Sequence, residues 1–418
     1  MLGRSVLALL CAFVVVVPSS AEALDTATLR TKLAKESELL GTHSGLYVRD
    51  LESGRTLFAL RENMALAPAS NEKLLTTSAA LLKLGPDATL RTVVRAAAPA
   101  VAGVLDGDVH LVGGGDPYLT TTKIQLLASQ IAAVGITHIR GRVVADSSML
   151  DDKVGSYDSG FAFDGDLGGR LAALVVDGGR GKDPALHAAQ ALHDALKKAH
   201  VQLDGRPRDG VAGQETIELA GVDSSPISSV IAAINVPSDN FAAEMLLKDL
   251  GARFGGAGST SAGAAVVRAT LGALGIHPRI YDGSGLSRAD RTTARQLVRL
   301  LELMRAQPVG ATFAASLPVA GRTGTLAKRM RATAARDNCR AKTGTLTGVS
   351  ALSGYCTTAG GGTVAFSFVE NQVCNVCAKQ VEDRMTAAIA RYTGSVPVDP
   401  VVPVDPAAPA AGGVPAAR

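Results

Sequence analysis

Three short polar runs carry residue types that could share one reaction. In "PASNEK", Ser70 and Lys73 stand three positions apart, just behind Pro68. Three residues is about one helical turn, so the two side chains share a face. At a helix start, unpaired backbone N–H groups and the positive dipole end surround the hydroxyl. A lysine held among polar groups there can lose its proton at moderate pH and take one from the serine, leaving an activated nucleophile. Alone, this spacing also arises by chance, with the serine a helix cap and the lysine in solvent. Two further runs change the weighing. "PSDN" puts Ser238 and Asn240 at another helix start, and "KTGT" places Lys342, Thr343, Gly344 and Thr345 in an extended run. The glycine there would let a ligand approach the strand backbone.

The elements around these runs can be read from periodicity. "SGLYVRDLESGRTLFAL" alternates apolar residues on both sides of a turn at Glu52-Ser53-Gly54, which predicts a hairpin. The helix after Ser70 has Leu74, Leu75, Leu81 and Leu82 spaced as one buried stripe, and Gly85-Pro86 stops it. From Thr89 to Ser225 the texture changes to short valine-rich strands around a helical "KIQLLASQIAAVG". That stretch reads as an α+β insert, with the glycine-rich "DGDLGGRLAALVVDGGRGKD" as a loop inside it. Helices return in "SDNFAAEMLLKDLG" and "TSAGAAVVRATLGALG". Two strands then flank a Thr347-Gly348 turn, a third follows in "GTVAFSFVEN", and "AKQVEDRMTAAIARY" closes the domain as a helix. The organisation expected is a leader over 1–23, a catalytic body from 24–88 and 226–393, an insert over 89–225, and a Pro/Ala-rich disordered tail over 394–418.

Composition bounds the function. The chain has 418 residues, 47% of them apolar, and a net charge of +4. That charge is too small to argue for nucleic acid. Arg4, an apolar run from Ser5 to Val17 and the small-x-small Ala21-Glu22-Ala23 make a secretory signal. The run is shorter than the roughly 20 residues that cross a bilayer, and no later segment is long and apolar enough, so no transmembrane anchor is expected after cleavage. A secreted protein of the periplasm or cell envelope is expected, with Cys339, Cys356, Cys374 and Cys377 in disulfides. If Thr347-Gly348 turns a hairpin, Cys339 falls opposite Cys356, which leaves Cys374 to pair with Cys377.

Several look-alikes are set aside. "GRTGTL" imitates the Lys-Thr-Gly run, but the Arg322 guanidinium is a different donor from an ammonium. "DGSG" lacks the first glycine of a nucleophile elbow, which leaves Ser284 as a turn residue. "DGDLGG" begins like a calcium loop, yet Val175 stands where the bidentate glutamate belongs. "GGG" at 113–115 lacks dinucleotide spacing, and no metal or organic cofactor is expected. His187 and His193 read as surface residues, Lys328 to Arg340 as a solvated basic face, and Glu244 as the helical partner of Lys248.

Ser-x-x-Lys, Ser-x-Asn and Lys-Thr-Gly, in this order, form the signature of penicillin-interacting serine acyltransferases. The roughly 165 residues between Lys73 and Ser238 exceed what a β-lactamase carries. Together with "LVGGGDP", "YDGSGLSR", "LPVAGRTGTLAKRM" and "RAKTGTLTGVSALSGY", the chain resembles low-molecular-mass class C penicillin-binding proteins of the penicillin-binding protein 4 type. These are D-Ala-D-Ala carboxypeptidases and endopeptidases. The resemblance spans Leu24 to about Tyr392 and is thinnest over Asp151 to Gly221, so no substrate contact is carried over there. It implies an α/β fold of the penicillin-binding/β-lactamase-like type, an antiparallel sheet flanked by helices with one or two inserted lobes. It also implies stem peptides ending in D-Ala-D-Ala as substrate and β-lactams as covalent inhibitors. Ser70 would be the nucleophile and Lys73 its base. Ser238 would pass the proton to the leaving amine, and Asn240 would hold the acyl amide and steady Lys73. Lys342 would attract the substrate carboxylate, Thr343 and Thr345 would line the strand, and the N–H groups of Ser70 and Thr345 would form an oxyanion hole. Cleavage of cross-links by the same site, or a weakly catalytic wall-binding role, are the alternatives.

Overall fold

The computed structural model describes residues 23–394. The expected signal, apart from Ala23, and the expected tail, apart from Gly394, lie outside the described residues. Helix α1 (Thr26–Ser37) starts on Asp25, whose carboxylate accepts from the Thr28 N–H. Strands β1 (Ser44–Asp50) and β2 (Thr56–Leu60) follow as the hairpin that alternation predicts. A single 3-10 turn, Ala69–Asn71, then leads into α2 (Glu72–Leu84). Ser70 therefore sits in that turn, one step before the helix proper. The expected single stripe on α2 understates its burial: every residue from Glu72 to Leu81 is inside. The helix is central, packed chiefly against three others named below, and its threonine hydroxyls bond to main-chain carbonyls. Thr77 Oγ1, for one, donates to the Lys73 carbonyl at 2.6 Å. Gly85 ends the helix at φ 84°, a conformation that favours glycine.

Strands β3 (Arg91–Ala96), β4 (Val104–Asp106) and β5 (Val109–Val112) precede α3 (Thr121–Ala133). Then come β6 (His138–Arg140), β7 (Val143–Asp146), α4 (Pro184–Lys198), β8 (Gln202–Leu203), β9 (Arg208–Asp209) and β10 (Ile217–Asp223). They form one sheet in the order β10-β3-β5-β7-β9, a small parallel sheet β4-β6-β8, and an apolar core of their own with α3 and α4. His193 is buried in α4, not on the surface, while His187 is exposed. The glycine-rich stretch is irregular, as expected, with one 3-10 turn at Gly165–Leu167. Its Leu167, Leu171 and Val175 pack with Phe241 and Met245, which pins the loop to the segment that follows Asn240.

Helices α5 (Ile227–Asn235), α6 (Asn240–Phe254) and α7 (Thr260–Gly272) surround α2, followed by α8 (Ala294–Ala306) and the short α9 (Gly310–Ala315). Strands β11 (Cys339–Leu346), β12 (Val349–Thr357) and β13 (Thr363–Asn371) and helix α10 (Asn375–Ala390) complete the chain. The main sheet is antiparallel throughout, in the order β11-β12-β13-β1-β2. Both faces are covered, so its central strands read as near-continuous apolar runs. Leu46, Val48, Phe366 and Phe368 face α1 and α10, while Tyr47, Ala365 and Val369 face α8 and α2. This is the antiparallel sheet between helices that the motifs imply. Part of the basic run is not solvated: Arg329 is tucked against Glu382 and Asp383, both at 2.7 Å.

The hairpin register puts Leu346 opposite Val349 and Cys339 opposite Cys356. Cys339 is bonded to Cys356, and Cys374 to Cys377. The first bridge closes a loop with a sequence separation of 17, for which chain entropy gives about 3 kcal/mol. Replacing both Cys339 and Cys356 by serine should lower the unfolding free energy by roughly that amount. Denaturant melts read this, and non-reducing peptide mapping checks the pairing. A Cys339–Cys374 cross-link would contradict the register.

Candidate active site

The 3-10 turn, the start of α6 and strand β11 meet in one cleft. Ala69 holds a positive φ of 47° immediately before Ser70, and Ser238 holds 69° immediately before the α6 cap. Such left-handed backbone at non-glycine residues is costly and clusters where side chains must be aimed. Asn71 ties the turn to the sheet, donating to Ser353 Oγ at 2.7 Å. Asp239 caps α6, accepting from the Ala242 N–H, and also accepts from Tyr118 Oη at 3.1 Å.

Lys73 has no solvent exposure, and its Nζ donates to three oxygens. They are Ser70 Oγ at 3.0 Å, Asn240 Oδ1 at 2.7 Å and the Ser284 carbonyl at 2.7 Å. Burial pulls its pKa down to about 8, while the charges of Asp282, Glu244, Asp239 and Glu72 act the other way. Asn240 in turn donates from Nδ2 to the Asp166 carbonyl at 2.9 Å, so the insert loop fixes the amide flip. A second lysine repeats the pairing. Lys342, also fully buried, donates to Ser238 Oγ at 2.8 Å and to the Thr343 carbonyl at 2.9 Å. Burial, then the Lys73 charge, holds it well below the ordinary lysine range, and neither partner is an anion. Ser70, Lys73 and Asn240 thus form one hydrogen-bonded set and Ser238 with Lys342 a second, near enough for the two lysine charges to act on each other.

Strand β11 is the edge of the main sheet. The Ala341 N–H points away from β12, to the Pro318 carbonyl. By alternation the N–H groups of Thr343 and Thr345 face that same outer edge. Thr343 Oγ1 donates to Thr325 Oγ1 at 2.8 Å, and Thr345 is exposed. Gly344 differs from expectation. A Cβ there would lie 2.6 Å from the Pro68 carbonyl oxygen and 3.2 Å from Ala69 Cβ. Its missing side chain makes room for the turn carrying Ser70, so what approaches the strand is protein backbone.

Other residues around the site have contacts that the sequence did not assign. Ser284 contributes its main-chain carbonyl rather than its hydroxyl, and the expectation of a mere turn residue missed this. Glu244 is not the partner of Lys248. Its Oε1 accepts from the Gly283 and Ser284 N–H groups at 2.9 and 2.8 Å, while Lys248 reaches Asp151 at 2.5 Å. Burial lifts the Glu244 carboxyl to about 8. Glu72 is fully buried with both carboxylate oxygens unpartnered, and burial, then Asp282 and Glu244, pushes it well above the usual range. Arg322 lies outside the group, in an exposed ion pair with Asp337.

Known proteins resemble this chain in sequence and in fold. The sequence matches the D-Ala-D-Ala carboxypeptidase 3 (S13) family over residues 26–179 and 178–392. It is 32% identical over 455 aligned residues to the D-alanyl-D-alanine carboxypeptidase of Actinomadura sp. (strain R39), covering 87% of this chain and 84% of that one. It is likewise 32% identical to the carboxypeptidase DacB of Mycolicibacterium smegmatis, covering 78% and 75%. The crystal structure of penicillin binding protein 4 from Haemophilus influenzae superposes with a TM-score of 0.73 at 20% identity, covering 84% of this chain and 97% of that one. A further structure of that protein, complexed with a β-lactam, matches with a TM-score of 0.72. At such identity these likenesses speak to the fold. The sequence matches go further, and the chain belongs to the D-Ala-D-Ala carboxypeptidase 3 (S13) family.

Proposed function

We propose that Ser70 is the nucleophile with which this chain performs the D-Ala-D-Ala carboxypeptidase reaction on peptidoglycan stem peptides. The observation that carries the proposal is a buried lysine, Lys73, with a pKa near 8 and its nitrogen 3.0 Å from Ser70 Oγ. A neutral amine has two N–H bonds and one lone pair. With Asn240 Oδ1 and the Ser284 carbonyl taking the N–H bonds, the lone pair is left for the serine proton. Ser70 Oγ then bonds to the carbonyl carbon between the two D-alanines. The oxyanion lies between the N–H groups of Ser70 and Thr345, usually the largest catalytic contribution. The C–N bond breaks, the leaving amine takes a proton through Ser238, and D-alanine departs. Water then cleaves the ester on Ser70.

Lys342 completes the reading. A buried cation with only neutral partners lacks a counter-ion, and the terminal carboxylate of the substrate would supply one. Thr343 and Thr345 border that position, with Gly344 shaping it from behind. Residues 24–88 and 226–393 would form the catalytic body and 89–225 its insert, in a protein exported to the cell envelope. Among the described residues no helix is long and apolar enough to cross a membrane. β-Lactams, which mimic the terminal dipeptide, would acylate the same serine.

Digestion of purified peptidoglycan with the mature protein, read by product masses, tests the activity. Loss of single D-alanine residues from pentapeptide stems is expected, and release of cross-linked dimers into monomers alone would move the assignment to endopeptidase. Ser70→Ala should abolish labelling by a fluorescent penicillin while leaving the thermal melt unchanged. A label mapped to Ser238 or Ser284 would refute the assignment. The pH dependence follows from Lys73. Below about 8 the ammonium form dominates, so the acylation rate should fall about tenfold per pH unit on the acid side. A stopped-flow profile flat between pH 6 and 9 would exclude Lys73 as the base.

A further inference from the structure

The Lys73 acceptor that sequence reading missed is one end of a peptide unit. That unit joins Ser284 to Gly285. Its carbonyl accepts from Lys73 Nζ at 2.7 Å, and its N–H donates to Asp282 Oδ1, also at 2.7 Å. The second oxygen of Asp282 accepts from the Ser287 N–H at 2.6 Å. The neighbouring units are held as firmly. Glu244 takes the Gly283 and Ser284 N–H groups, and Thr76 Oγ1 donates to the Gly283 carbonyl at 3.0 Å. All of Asp282, Glu244 and Thr76 are buried. The plate cannot tilt freely, because a Cβ at Gly285, with φ 79°, would lie 1.9 Å from the Ala69 carbonyl oxygen. So the loop from 282 to 287 is packed against the very turn that presents Ser70.

We infer that Asp282 is a positioning residue for Lys73, acting through the peptide unit between Ser284 and Gly285. Its carboxylate grips the N–H end of that unit, and the opposite carbonyl grips the amine. A hydrogen bond from a peptide N–H to a carboxylate also polarises the carbonyl at the other end, which strengthens its hold on Lys73. The order is serine, lysine, peptide, aspartate: a nucleophile, a base and a third group that orients the base, with a main-chain amide as the link. This rests on Ser70 and Lys73 acting as proposed above.

Charge adds a second signature. Lys73 is faced by Glu72 on α2, Asp239 and Glu244 at α6, Asp282 in the 281–290 loop, and Lys342 on β11, with Asp290 standing beside Asp282 and Glu72. Of the charges that raise its pKa, Asp282 is foremost. Burial raises the Asp282 carboxyl, and the Asp290 carboxyl, the two backbone N–H groups and Lys73 oppose that. Removing the Asp282 charge weakens the ammonium form of Lys73, so Lys73 deprotonates at lower pH.

The test is Asp282→Asn, which keeps the shape and one oxygen for the Gly285 N–H. Acylation of Ser70 by labelled penicillin is measured against pH, beside a thermal melt. The plateau rate should drop about ten- to a hundredfold, the loss expected when a charge-assisted hydrogen bond is weakened. The acid limb of the profile should move to lower pH. A wild-type profile overturns the inference, and so does a slower plateau with an unmoved limb, which marks a merely structural role. Failure of the wild-type protein to acylate at Ser70 is a different result and counts against the proposed function. Should the variant not fold, wild-type protein labelled with 15N-glycine decides the matter. The Gly285 amide shift should titrate with the acylation rate, because Lys73 changes charge at the other end of the same peptide unit. A Gly285 resonance indifferent to pH between 6 and 9 overturns the inference.

Discussion

The elements around Ser70 answer to one constraint, an ammonium group with no exposure to water. An unpaired buried charge costs several kcal/mol, so Lys73 must be supplied with oxygens in fixed places. The three it has come from three separate elements: its own turn, the start of α6, and the 281–290 loop. None of these can shift without stranding the lysine. The positive φ at Ala69, the cap on Asp239 and the buried hold of Glu244 on the loop are the local costs of meeting that demand. The distant insert takes part as well, since the Asp166 carbonyl fixes the Asn240 amide.

Two lysine–serine pairs at similar distances do not have equivalent chemistry. Lys73 lies above a group of carboxyls, which oppose the effect of burial and leave its pKa near 8. Lys342 has neutral oxygens and the other lysine as neighbours, and burial acts on it with nothing to balance. Environment would separate the two proposed roles, base for Lys73 and electrostatic anchor for Lys342. An anion arriving beside Lys342 would favour its charged form.

The sequence made the polar motifs, the hairpin around Thr347–Gly348 and the cysteine register legible because each follows a local rule of spacing or alternation. The alternating runs in β1 and the stop at Gly85 were readable for the same reason. What escaped depends on tertiary packing. Four leucines on α2 describe a stripe only when the helix has one partner, and here three helices surround it. Glu244 and Lys248 have ideal helical spacing, yet burial gives each a better partner, the backbone of 283–284 and Asp151. His193 is apolar in context because α4 turns it inward. Ser284 could not be found from its side chain, since a main-chain carbonyl has no residue type. Gly344 was read correctly as a close approach, with the wrong visitor.

Strand β11 has one further property. Thr345 is exposed and Thr343 is buried against Thr325, but at Ala341 the Pro318 carbonyl already occupies the outer edge, and Val319 bridges to Arg340. A peptide laid along this edge with its scissile carbonyl at Thr345 meets that wall at Ala341, four strand positions on, or ~14 Å at ~3.4 Å per residue. The strand is a blind alley, and a blind alley measures length. A peptide that runs further must leave the strand, so the cap on the sheet edge sets how many residues past Thr345 can pair with it.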